Sequence, residues 1–420
     1  MTVAVASGSA PYLTRRVAIA VFLSFALAYF FSALVRGVTA TLAPLFSEEL
    51  GLSSGDLGLL AGAYFLGFAA MQLPMGSALD RFGPRRVLLG LLALAVAGCI
   101  AFAQARSFAE LAAARGLIGV GVSACLMAPM TSFRNGLRPE SHIRATSWML
   151  MTGSLGMVAS TLPVQWVLPH LGWRGLFGCV AGALALAMLV IRTVVPRDSR
   201  PEHNPGEVSS GYAAVFRHRT FLRFAPIGFF HYGGLIAIQS LWAGPWLVQV
   251  CGWTAQASAL GLFAINTSML FCFMGWGGVV PRLYRQGWTA HRLVALGLPV
   301  SVGVLWAAIA LGTDGKAWVW VLFCASSTVA SLSQPAVGQA FPSGLAGRAV
   351  SAYNLVMFAG VFSVQWGIGL CVDLLLARGW PITASYQGAF ALFALSCTLA
   401  YVWFRAFDDG VRVTGLRHPP

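Results

Sequence analysis

The sequence predicts an all-α membrane protein, with twelve spanning helices in two pseudo-symmetric six-helix bundles and both termini cytoplasmic. Three observations carry that prediction. The 420 residues are 58% hydrophobic and only 10% charged, with a mean hydropathy of +0.75, whereas soluble domains carry about 25% charged residues. Apolar runs of the roughly 20 residues that a membrane crossing needs recur along nearly the whole chain. The basic residues gather in every second connection between those runs.

The runs lie near 17–43, 55–78, 86–104, 108–131, 144–168, 174–194, 222–248, 254–277, 291–311, 317–337, 349–374 and 385–404. Of the 27 basic residues, Arg106, Arg174, Lys316 and Arg378 fall in odd-numbered connections, and Arg36 and Arg115 lie within runs. The others occupy the N-terminus, the even-numbered connections and the tail. Lysine and arginine mark cytoplasmic loops, so both termini are expected inside, in a bacterial inner membrane. Glu48, Glu49 and Asp56 then fall in the first outer connection. The net charge of +14 thereby reflects topology and not a nucleic-acid partner. The eight cysteines are scattered without C-x-x-C spacing, which points to apolar filling and to neither metal nor redox chemistry. No cofactor is expected. Met1–Thr14 is uncharged and Arg15-Arg16 leads straight into a full-length run, unlike a cleavable signal.

The longest polar stretch, Arg192–Arg223, contains Pro196, Pro201 and Pro205 and divides six runs from six. It sets the expected organisation: an N-terminal bundle over 1–195, a linker over 196–221, a C-terminal bundle over 222–405 and a tail over 406–420. Duplicated six-helix halves are a transporter architecture.

One connection is distinctive. Gly76-Ser77-Ala78-Leu79-Asp80-Arg81-Phe82-Gly83-Pro84-Arg85-Arg86 is a tight charged turn between two apolar runs. It resembles the cytoplasmic loop signature of the major facilitator superfamily, G-x-x-x-D-R-x-G-R-R, with Pro84 added. A second half built by duplication should echo it between runs 8 and 9. Gly277-Gly278-Val279-Val280-Pro281-Arg282-Leu283-Tyr284-Arg285-Gln286-Gly287 does so, without the aspartate. Arg115-Gly116-Leu117-Ile118-Gly119-Val120-Gly121 is similar to the superfamily's second motif, and Gly172-Trp173-Arg174 resembles a common turn before the sixth helix. Gln239–Trp246, Phe341-Pro342, Gly347-Arg348 and Gln365–Gly369 look like a bacterial branch grouped with sugar-phosphate and nitrate/nitrite permeases. The resemblance covers about residues 15–405. It implies that Asp80 meets the N-terminus of span 11, with Gly76, Arg81, Gly83, Arg85 and Arg86 completing a gate. Positive charges in this loop also serve topology alone. The antiporter motif of span 5 is not present, and the glycine-rich nitrate signatures are missing from spans 5 and 11.

Charged residues inside a span cost roughly 2.5–3.5 kcal/mol on insertion scales, so those retained are functional candidates. Arg36 follows the uncharged run Val17–Val35. Its guanidinium can grip a carboxylate or phosphate with two bonds, or it snorkels to the outer interface. Arg115 matches the family's motif arginine, which faces the central cavity; pairing with Glu110 is the alternative. His231 in span 7 either serves recognition or proton transfer, or packs. Organophosphate exchangers of the family place a second arginine in span 7, and this chain has none there. Gln239 and Trp242, three apart, are expected on one face. Tyr29, seven residues before Arg36, is expected on the face of Arg36. Asn266, Gln334, Asn354 and Gln365 complete the candidate substrate-binding set. Gly153, Gly156, Gly360, Gly367 and Gly369 are read as close-approach positions. The thirteen carboxylates avoid the middles of the spans, with Glu110 and Asp373 near outer ends. A cation/proton drug exporter usually needs a buried carboxylate, so a small anionic organic solute is favoured. The expected mechanism is alternating access by a monomer, coupled to proton symport or anion exchange, with a proton-coupled multidrug exporter as the rival reading. No nucleotide loop, metal cluster or nucleophile constellation points to an enzyme, and no catalytic residue is assigned.

Overall fold

A computed structural model describes residues 12–197 and 211–407, and these are helical with short connections. The helices are α1 (Arg15–Leu50), α2 (Ser54–Ala70 and Gln72–Phe82, bent by 46°), α3 (Pro84–Gln104) and α4 (Phe108–Val122 running on into Met127–Gly136). α5 is Pro139–Ala159 continued over 162–171, and α6 is 173–194. After a short linker helix (Gly211–Arg217) come α7 (Arg219–Gln249), α8 (Ala255–Arg285) and α9 (Ala290–Leu311). They are followed by α10 (Ala317–Gln339), α11 (Ser343–Ala377) and α12 (Ile382–Ala406). Residues 198–210, most of the expected linker, lie outside the described set, as do 1–11 and 408–420.

Among the described residues ten helices are long and apolar enough to cross a membrane, and eleven if the bent α2 pair counts as one span. The exception is Pro139–Ala159, which carries Glu140, His142 and Arg144 in its first two turns. Its apolar length is completed beyond the break at Ser160-Thr161, in a segment hydrogen-bonded continuously with α6. The division between the two falls at Gly172, whose φ of 62° and ψ of 172° suit glycine. Directly after it, Trp173 Nε1 and Arg174 Nη1 both donate to the Glu49 carboxylate, at 3.0 and 3.2 Å, and pin this turn to the end of α1.

The outer faces of the helices are greasy: Leu189, Phe271, Leu296 and Leu399 are 57, 65, 61 and 60% exposed. In water such a belt would aggregate; in lipid it is solvated. The ends of α2 and α8 are alike. α2 ends at Gly83 and α8 at Gln286-Gly287, and Gly83 and Gly287 share a φ of 82°. Pro84 occupies the first helical turn of α3, where its missing N–H costs nothing.

The halves meet along α2 and α11, along α5 and α8, and where α1 packs on the 238–249 part of α7. That last contact lies at the end of the molecule away from Gly76–Arg86, called here the far end. At the motif end the corresponding segments of α4 (127–136) and α10 (333–339) make at most marginal contact, while the 72–82 part of α2 still packs on α11. The far end is therefore shut, and the motif end is parted between α4 and α10. Of the predicted close-approach glycines, Gly156, Gly360 and Gly369 lie against backbone of a neighbouring helix and Gly153 against a tyrosine ring. Gly367 faces open space.

Candidate functional site

Arg36 lies near the middle of α1, because the helix runs 14 residues past it, through Pro44 to Leu50. At 1.5 Å per residue that is about 21 Å of helix, so the side chain stays inside. It is only partly buried despite this position, so open space reaches it. Its polar surroundings are the hydroxyls of Tyr29 in α1, Tyr64 in α2 and Tyr232 in α7. No carboxylate is among them; the described ion pair is Arg174–Glu49 at the far end. Arg36 Nε and Tyr64 Oη are buried without a well-aligned hydrogen bond, as is the hydroxyl of Ser32 one turn earlier. Buried polar groups in native proteins are nearly always satisfied, so poorly satisfied ones beside a guanidinium that faces no carboxylate have the character of a binding site.

Aromatic rings form its wall. Tyr64 stacks on Phe68 at 6.3 Å, Phe68 lies 4.5 Å from Phe358 of α11, and Phe358 meets Tyr232 edge-on at 6.4 Å. Both halves contribute. Two glycines let these rings sit where they do: a Cβ at Gly153 would fall 2.4 Å from the Tyr29 ring, and one at Gly119 1.9 Å from the Tyr64 carbonyl. Gly119 belongs to the α4 motif, in which Gly116 and Gly119 press α4 against α2 and Gly121 presses it against α3.

Arg115 is also there, but differently employed. It is 1% exposed, and donates from Nη1 to the Val35 carbonyl at 3.1 Å and from Nη2 to Thr39 Oγ1 at 2.5 Å. Its guanidinium stacks over the Tyr64 ring at 5.3 Å and lies 6.0 Å from the Phe102 ring. The pair with Glu110 is not formed; that carboxylate caps α4, accepting from the Arg106 N–H at 2.7 Å. Arg115 ties α4 to α1 in the turns either side of Arg36.

The remaining candidates assemble inside the C-terminal half. Gln239 donates to Asn266 of α8 at 2.8 Å, Gln365 of α11 donates to Ser240 at 2.9 Å, and the Trp242 indole donates to the Gln365 carbonyl at 3.1 Å. Gln334 of α10 is hydrogen-bonded to Asn354 of α11. Gln239 and Trp242 do not share a face. Residues 238–242 form a π-helical turn, which widens the spacing, so Gln239 faces α8 and Trp242 faces α11. His231 also turns away: its Nε2 meets the Cys397 carbonyl of α12 at 2.9 Å, while its neighbour Tyr232 faces Arg36. Sequence reasoning missed Tyr232, choosing its neighbour His231, and missed Tyr64. The only sequence signal at Tyr64 is a phenol in an apolar, glycine-rich run, which does not say which arginine it will face.

In the motif, Arg85 donates to the Arg192 carbonyl at the end of α6, and Arg81 lies over Phe82. Asp80 is exposed and bonds to no described residue. The contact with the start of α11 is not made in this state.

The family description "Major Facilitator Superfamily" matches residues 25–364. The chain is 25% identical over 295 residues to a probable sulfoacetate transporter of Cupriavidus necator, covering 66% of this chain and 68% of that one. It is 23% identical over 320 residues to a galacturonate transporter of Dickeya chrysanthemi, covering 70% and 91%. The fold matches an inward-facing, unoccupied crystal structure of a bacterial homologue of the human lysosomal transporter Spinster. That match has a TM-score of 0.72 at 17% identity and covers 94% of this chain and 98% of the other.

Proposed function

Because the chain belongs to the Major Facilitator Superfamily, and is thus a multi-pass membrane transporter and not an enzyme, we propose that it moves a small organic anion by alternating access, with Arg36 as the anchor. The observation that carries this reading is Arg36 itself, mid-helix, ringed by three tyrosines drawn from both halves and facing no carboxylate. A guanidinium in that setting holds an anion through paired, charge-assisted bonds. The phenols donate to the same anion, and the Phe68–Phe358 wall covers its apolar part. The sulfoacetate and galacturonate carried by the two relatives are organic anions of this kind. A cationic drug would meet an uncompensated positive charge here.

The protein acts as a monomer in a bacterial inner membrane, with both termini cytoplasmic and the motif end facing the cytoplasm. Coupling follows from what the interior offers. With His231 bonded to a backbone carbonyl, the proton of a symport cycle travels on the solute's own acid group. In anion exchange a second anion returns through the same site and no protein group titrates. Uptake by proteoliposomes loaded or unloaded with a second carboxylate, with and without a pH gradient, separates the two. Export of cationic dyes with no movement of any anion would remove the reading.

Asp80 serves the other state. When the motif end closes, its carboxylate reaches the N-terminus of α11, a contact worth about 0.3–1 kcal/mol. Asp80→Asn should therefore change turnover about two- to fivefold while solute affinity stays level. Flux in both directions and equilibrium binding are the paired readouts, and unaltered flux in both directions removes Asp80 from the gate.

A further inference from the structure

Asp373, near the C-terminal end of α11, closes on the other half of the protein. Its Oδ1 accepts from the Ser54 N–H at 3.1 Å and its Oδ2 from the Gly55 N–H at 2.8 Å. These are the first two residues of α2, and first-turn amides have no partner within their own helix. Ser53 and Asp56 already form a reciprocal cap there, with the Asp56 N–H donating to Ser53 Oγ and the Ser53 N–H to Asp56 Oδ2, both at 3.1 Å. The two amides the local cap leaves open are the two that Asp373 takes. The approach is built in: a Cβ at Gly369 would fall 2.2 Å from the Ser54 carbonyl, and one at Gly55 would fall 2.7 Å from Asp373 Oδ2. The contact borders a cavity of about 270 Å³ at the far end, lined from both halves, with Pro44 and Leu57 on one side and Pro245 and Tyr386 on the other.

We infer that Asp373 and the N-terminus of α2 are the far-end latch of the transport cycle, holding that end shut while the motif end is parted. The geometry is the reciprocal of the motif gate. Asp80 ends α2 and would meet the start of α11; Asp373 ends α11 and meets the start of α2. A carboxylate on a helix N-terminus holds each end in turn, and in the state described the Asp373 contact is made while Asp80 is exposed. The inference rests on the alternating-access reading above. It makes Asp373 a positioning residue that never touches the solute.

The test uses spin labels in the full-length protein with the native cysteines replaced. One pair, Ser47→Cys and Val248→Cys, spans the far end; the other, Arg134→Cys and Gln339→Cys, spans the motif end. Asp373→Asn keeps the side-chain shape and removes the charge. It should raise the ratio of long to short far-end distances about three- to tenfold, with matching shortening at the motif end. Asp373→Glu should restore most of the short population, and Asp80→Asn combined with Asp373→Asn should move the ratio back toward the parent. An unchanged far-end distance in Asp373→Asn overturns the latch and leaves the Arg36 site standing. Far-end lengthening without motif-end shortening overturns reciprocal gating, because it shows local loosening only. Anion binding at Arg36, measured on the same samples, is expected to persist in every variant; its absence in the parent protein would count against the functional reading and not against the latch.

Discussion

Arg36→Ala is expected to lower uptake of the transported anion by at least about two orders of magnitude, since two charge-assisted bonds of about 1.5–3 kcal/mol each are lost. The same variant should insert, fold and melt at a temperature equal to or above that of the parent. The second half follows from the absence of a protein counter-charge: the neighbours of Arg36 are phenols and its Nε is unsatisfied. Removing it relieves the cost of an unpaired interior cation without stranding a carboxylate. A structural arginine would behave in the opposite way. Arg36→Lys keeps the charge but not the planar fork, and should bind with intermediate affinity. Uptake in proteoliposomes and thermal denaturation in detergent check both halves. A well-folded Arg36→Ala protein with full uptake would dismiss this residue as the anchor.

Arg115→Ala should show that opposite behaviour. The guanidinium fills space between α4 and α1, satisfies the Val35 carbonyl and Thr39 Oγ1, and covers the Tyr64 ring. Its loss is expected to cost about 2–3 kcal/mol from the hydrogen bonds, with a further cost for the cavity left behind. The readout is a lower melting temperature and a smaller monodisperse fraction after purification. Because Val35 adjoins Arg36 and Thr39 lies one turn beyond it, solute affinity should fall only as far as Tyr64 and α1 shift. A variant as stable as the parent that no longer binds solute would make Arg115 a ligand and overturn the bracing role.

How far the sequence reveals this molecule depends on the range of the interactions involved. The helices are legible because each one's apolar length is local information. The turns at Gly83 and Gly172 are legible because a positive φ leaves a glycine behind. The Tyr29–Arg36 relation is legible because both ride one helix. Three things are not. The π-helical turn in α7 separates Gln239 from Trp242 against the 3.6-residue rule, and nothing in Ile238–Trp242 announces it. The choice between His231 and Tyr232 as the inward residue depends on the rotation of α7 against α12, a packing outcome spanning 166 residues of sequence. Tyr64 is hidden for the same reason, since the arginine it faces lies on another helix.

Recognition of an organic anion through Arg36 is the proposal from which the other expectations follow. A thermal-shift screen of the purified protein, with Arg36→Ala alongside, tests it most directly across carboxylates, sulfonates, phosphates, nitrate and cationic drugs. Stabilisation by one or more organic anions is expected in the parent and none in Arg36→Ala. Stabilisation by cationic drugs alone, or by an anion equally in both proteins, would contradict that proposal.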